Sequence, residues 1–181
     1  KKMKKEENLG RFISIVLRHK PESIGITLDE HGWADVDTLI KAMNEHKKYI
    51  DRAMLEKIVA ENDKKRYSFD KNHCKIRANQ GHSIPVNLEL EKKIPPEILY
   101  HGTATRFLEN IQKSGILKMG RQYVHLSKDM QTASKVGQRH GKVIVLKVDT
   151  KKMVQDGYDF YLSKNGVWLC ETVPPQYLLK P

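Results

Sequence analysis

"RYSFDKNHCKIRA" (66–78) is where helical spacing ends and strand spacing begins. Tyr67 and Phe69 alternate with polar residues, and Cys74, Ile76 and Ala78 do the same beyond Asp70-Lys71-Asn72-His73. A period of two on both sides of a turn-forming tetrapeptide predicts a β-hairpin, with the apolar set on one face. Arg66 and Ser68 then point to the other face, which makes Arg66 a guanidinium able to grip a phosphate bidentately. A charged edge strand kept soluble explains the same pattern.

Upstream of the hairpin every segment is spaced as helix. Leu9, Phe12, Ile13, Val16 and Leu17 recur at i, i+3, i+4, i+7 and i+8, predicting a helix from about Asn8, its N-cap, to His19. Pro21 disfavours helical geometry at Lys20. The preceding "KKMKKEEN" (1–8) reads as a frayed, solvated charge run. Arg18 falls opposite the apolar stripe and His19 at its margin, so neither is expected in the core. The pair either complements the helix dipole or is aimed at a ligand. "ITLDEHGWADV" (26–36) reads as a short strand, a Gly turn and a second extended piece carrying Trp33. Asp35 or Asp37 can cap a helix that turns Leu39, Ile40 and Met43 inward, and Asp51 caps another with Met54, Leu55, Ile58 and Val59. Three helices and a hairpin form the element order of a winged-helix module, an order shared by other small α+β domains.

Downstream, "QGHS" (80–83) is either a plain turn or a phosphate-binding loop offering backbone amides, Gln80 and Ser83. "NLELEKKIPPEI" (87–98) marks a boundary, giving lobes 1–93 and 94–181. The second lobe is strand-rich α+β, with strands expected at "ILYHGT", "YVHLS", "KVIVLKVD", "DFYLS" and "VWLCETV". Helices are expected at "RFLENIQKSG" and "MQTASKVGQRHG". "YHGT" (100–103) and "YVHLS" (123–127) each set a histidine in an apolar strand with Thr or Ser close behind. One such histidine is ordinarily a satisfied core residue; two suggest polar groups converging across a sheet, with Arg121 just ahead of the second.

Composition narrows the partners. The 181 residues carry 33 basic and 22 acidic groups, a net charge of +11. Such an excess favours a polyanion, either nucleic acid or a phosphate-rich small molecule. It is spread over both lobes, so charge alone does not say which lobe meets the polyanion. Two distant cysteines and eight scattered histidines argue against a disulfide framework and a zinc site. No apolar run approaches the roughly 20 residues of a membrane span, and the amino end lacks a secretory pattern. A cytoplasmic location is the expectation. No Walker loop or GxGxxG is present, so a nucleotide site must be built another way.

Taken together, Arg18-His19 before Pro21, Arg66, "IRANQGHS" (76–83), "YHGT", "GRQYVHLS" (120–127), "GQRHGKVIVLKV" (137–148) and "VWLCETVPPQYL" (167–178) resemble the RNA 2′-phosphotransferase family. The resemblance runs from about residue 8 to 181. It implies an amino-terminal winged-helix RNA lobe and a carboxy-terminal ADP-ribosyltransferase-like lobe. It further implies a reaction in which an internal RNA 2′-phosphate, as at a tRNA splice junction, is passed to NAD⁺ by a monomer without a metal. The family's essential residues fall on Arg18, His19, Arg66 and Arg121, with the Arg-His pair aimed at a cleft between lobes. His101, Gly102, Thr103, His125, Leu126, Ser127 and Arg139 would bind NAD. Arg18, Arg66, Gln80, His82 and Ser83 would face the RNA phosphate. One departure is Cys170-Glu171, where a Thr-Asp-like pair is expected. Two rival readings are an ADP-ribosyltransferase acting on phosphorylated nucleic-acid ends and a non-catalytic RNA-binding module.

Overall fold

The computed structural model describes residues 2–180, with the side chains of residues 2 and 3 left aside. The fold is mixed helix and sheet, α+β, and the chain divides into two compact units, Lys1–Glu89 and Leu90–Pro181.

In the first unit, α1 spans Lys2–Arg18. The helix is already formed at Lys2, so Asn8 is an interior residue and not its N-cap, and the described part of the charge run is helical. Lysine and glutamate are good helix formers, and Glu6 pairs with Lys57 of α3 at 2.9 Å, which ties this end down. Helix α1 ends at Arg18, one residue before the expected His19, and a short 3₁₀ turn follows at Pro21–Ile24. The stretch 26–36 forms only one strand, β1 (Ala34–Asp35). Its first half is held by Asp29, whose carboxylate accepts from the amides of His31 and Trp33. Asp35, not Asp37, caps α2 (Val36–Glu45) through the Thr38 amide. Asp51 caps α3 (Arg52–Glu61) through the Met54 amide.

The hairpin forms from β2 (Tyr67–Phe69) and β3 (Lys75–Ala78), antiparallel with Tyr67 opposite Ala78 and Phe69 opposite Ile76. Strand β1 adds to the other edge of β3, giving the order β1-β3-β2. Cys74 sits outside the strand and is exposed, because Asp70 takes its amide into the turn. Ile13, Val16, Leu17, Leu39, Met43, Leu55 and Ile76 fill the core beneath.

The second unit is built on β4 (Ile98–Ala104) and β7 (Val143–Asp149), paired antiparallel over seven residues with His101 opposite Leu146. Between them run α4 (Leu108–Ser114), β5 (Ile116–Leu117), β6 (Val124–Leu126) and α5 (Met130–Gly137). After β7 come α6 (Thr150–Gln155), β8 (Tyr161–Leu162), β9 (Trp168–Cys170) and β10 (Thr172–Val173). Strands β6, β9 and β8 form one sheet, and β10 pairs with β5. Helix α6 and strand β5 lie in stretches whose apolar spacing is too short to show a period.

Helix α5 packs on β4 through two glycines. A Cβ on Gly102 would lie 1.5 Å from the Ala133 carbonyl oxygen, and one on Gly137 would lie 2.8 Å from the Thr103 amide nitrogen. Glycine is the residue that permits this approach. Leu99, Leu126, Val148, Met153, Phe160 and Cys170 make the core of this unit. No described helix is long and apolar enough to cross a membrane.

Candidate functional site

Two clusters of cationic and imidazole side chains stand out, one in each unit.

In the first, the 80–83 loop folds back on the end of α1. The Ser83 amide donates to the Arg18 carbonyl at 3.0 Å, and the Ser83 hydroxyl lies 2.8 Å from His19 Nδ1. Gly81, at φ +89°, lets the Arg18 side chain cross it, since a Cβ there would sit 3.1 Å from both the guanidinium carbon and Nε. Arg18 and His19 are half-buried. Arg66 leads into β2, its amide donating to Asn62 and its carbonyl accepting from the Asn79 amide. Between the two arginines lies Tyr67, whose hydroxyl donates to the Gly10 carbonyl and lies 2.7 Å from Ser14 Oγ. Burial pushes the Tyr67 pKa up, while the Ser14 hydrogen bond and then the positive charges of Arg66 and Arg18 pull it back. Both guanidinium groups therefore act on one spot.

His82 differs from the expectation that it faces RNA. It is 1% exposed, and among the described residues neither ring nitrogen has a hydrogen-bond partner. Burial, then the charges of Arg18, His19 and Arg77, push its pKa down to about 4. In the folded chain the ring is neutral at pH 7 and enclosed. Gln80 is likewise buried.

In the second unit, β4 and β6 are joined by two backbone hydrogen bonds, Tyr100 amide to Ser127 carbonyl and Ser127 amide to Tyr100 carbonyl. That sets His101 beside the β6 end. His101 Nδ1 lies 3.1 Å from the His125 carbonyl oxygen. A carbonyl can only accept, so Nδ1 carries the proton and Nε2 is left as an acceptor. Burial depresses the His101 pKa, the hydrogen bond to His125 opposes it, and the charge of His140 adds to the depression. Arg121 donates from Nη1 to His125 Nδ1 at 2.9 Å, which leaves the His125 proton on Nε2. Arg139 lies close enough for its charge to lower the Arg121 pKa further, after burial. Among the described residues neither Arg121 nor Arg139 has a carboxylate within 4.0 Å. Two neighbouring guanidinium groups without a carboxylate suit an anion.

Of the other residues expected here, Leu126 is 1% exposed within the core, so its side chain is out of a ligand's reach. Gly102 is buried against α5. Thr103 is buried and Ser127 half-buried. His140 belongs to the cluster and went unforeseen. Its signal was present, since Arg139-His140 repeats the Arg-His order of 18–19 at the end of a helical segment.

A family model described as "RNA 2'-phosphotransferase, Tpt1 / KptA family" matches residues 4–172. The chain is 54% identical over 177 residues to the "Probable RNA 2'-phosphotransferase" of Fusobacterium nucleatum, covering 97% of this chain and 99% of that one. It is 51% identical to the protein of that name from Flavobacterium johnsoniae, over 95% of this chain and 94% of the relative. A third relative of the same name, from Trichormus variabilis, is 51% identical over 96% of each chain. The Arg18-His19 and Arg121-His125 clusters thus lie within a match that spans both units, and the chain belongs to the RNA 2′-phosphotransferase, Tpt1 / KptA family.

Proposed function

We propose that this enzyme transfers an internal RNA 2′-phosphate, as at a tRNA splice junction, to NAD⁺. The products are nicotinamide, 2′-hydroxyl RNA and ADP-ribose 1″,2″-cyclic phosphate. Family membership supports the removal of a 2′-phosphate. The observation that supports a dinucleotide acceptor is the Arg121–Arg139 pair beside His101 and His125, whose donors suit a pyrophosphate flanked by ribose hydroxyls. On this reading the first unit is a winged-helix RNA lobe and the second an ADP-ribosyltransferase-like NAD lobe.

In the first step a 2′-phosphate oxygen attacks C1″ of the nicotinamide ribose. The glycosidic C–N bond breaks and nicotinamide leaves neutral, so little acid catalysis is needed. In the second, ribose O2″ attacks phosphorus and the P–O2′ bond breaks. Charge on the non-bridging oxygens is met by guanidinium groups, a role for Arg18, Arg66 and Arg121. His19, steered by Ser83, carries the proton between O2″ and the departing O2′. Arg139 holds pyrophosphate. Gln80, His82 and Gly81 support Arg18.

The test is a short RNA bearing one internal 2′-phosphate, incubated with and without NAD⁺. The expected result is NAD⁺-dependent conversion to the 2′-hydroxyl strand with nicotinamide released. His19→Ala and Arg66→Ala each slow the second step on the order of 100-fold and trap ADP-ribosylated RNA. Dephosphorylation without NAD⁺ overturns the acceptor. ADP-ribosylated RNA as the wild-type end product favours the ADP-ribosyltransferase reading instead.

A further inference from the structure

Away from the Arg18 cluster, the first unit carries a groove of about 360 Å³ where the start of α1 meets the loop after α2. Lys4 and Lys5 of α1 and Lys47, Lys48 and Tyr49 of the loop line it, with no carboxylate in the lining. Among the described residues none of these four lysines has an acidic partner within 4.0 Å, whereas Glu6 of the same helix is turned away onto Lys57. Tyr49 is 64% exposed. Lys48 places its Nζ over the Phe12 ring, 5.3 Å from the centre. Lys47 sits at φ +63°, a left-handed position just past a helix end that glycine fills with less strain. A cation therefore stands where the backbone favours a residue without a side chain.

Two of the groove's residues, Lys4 and Asn8, lie on the same face of α1 as Arg18. Lys4, Asn8, Arg11, Ile15 and Arg18 recur at i, i+4, i+7, i+11 and i+14, so they form one ridge along α1. Arg11 is an exposed cation midway, and Ile15 is exposed beside it. At 1.5 Å per residue the ridge is roughly 20 Å long. At about 3.4 Å per stacked nucleotide, that is on the order of six nucleotides.

We propose that this groove and ridge form a track for single-stranded RNA flanking the phosphate, with lysines on the backbone and a base stacked on Tyr49. Cations interleaved with an exposed aromatic are what sequence-tolerant single-strand binding uses. The proposal rests on the reading that Arg18 receives the 2′-phosphate.

The test compares a trinucleotide with a 12-nucleotide RNA, each carrying one central 2′-phosphate. Binding is followed by fluorescence anisotropy without NAD⁺, and thermal unfolding midpoints report on folding. Wild type should bind the longer RNA more tightly. Lys47→Gln/Lys48→Gln should weaken the 12-mer on the order of tenfold at low salt and lower its salt slope by about 1.4, with the trinucleotide unaffected. Tyr49→Ala should weaken the 12-mer about fivefold or more with the salt slope unchanged. Equal binding of the 12-mer by variants and wild type overturns the track, as does displacement by an acidic peptide as effective as RNA of equal charge. Should wild type fail to remove the 2′-phosphate with NAD⁺ present, the reaction falls, and the anisotropy series still decides the track by itself.

Discussion

His82 shows how far a residue's identity is from its use. In sequence it is one polar member of a loop; in the fold it is a buried neutral ring close to Arg18, His19 and Arg77. The unfolded chain takes up a proton on it below about pH 6.5, and the folded chain does so only near 4. Folding stability from this group is therefore fully present above pH 7 and falls as pH drops from 6.5 towards 4, by about 3 kcal/mol in all. Urea unfolding at pH 7, 6, 5 and 4.5 measures this. The wild-type free energy should drop more steeply with acid than that of His82→Gln, and parallel lines for the two proteins would refute it. Arg18 beside it depends on Gly81 for a path across the loop.

Among the elements, the α5–β4 contact has no slack. Gly102→Ala would drive a methyl group into the Ala133 carbonyl and lift the helix off the strand that carries His101. Overpacking of this kind costs about 3 kcal/mol or more. The melting midpoint should fall on the order of 10 °C, measured by circular dichroism. Gly120→Ala, with nothing within 4 Å of its new methyl group, should leave the midpoint within about 1 °C and serves as the control. Element identity was legible where apolar spacing was long. The stripes of α1 and α3 and the β2–β3 hairpin follow directly from it. The true start of α1 was not legible, because Lys and Glu sit equally well in a frayed tail and in a helix anchored by an ion pair to α3.

For the molecule as a whole, two separate apolar clusters imply two folding units. One runs from Leu9 to Ala78 and the other from Leu99 to Tyr177, with no residue in common. A fragment of residues 1–89 should give helical circular dichroism and a cooperative urea transition on its own. A broad, non-cooperative melt of that fragment would show that its core is insufficient.

By itself the sequence determined the α+β class, most helices and strands and the family, and it singled out the arginines and histidines proposed for the chemistry, because these depend on local period and residue type. Tertiary structure alone decided which of those side chains a ligand can reach. Leu126 and His82 share their motifs with accessible neighbours yet are enclosed, while His140 joins the second cluster without having been singled out. Exposure is a property of what packs above a residue, and that partner lies far away in the chain.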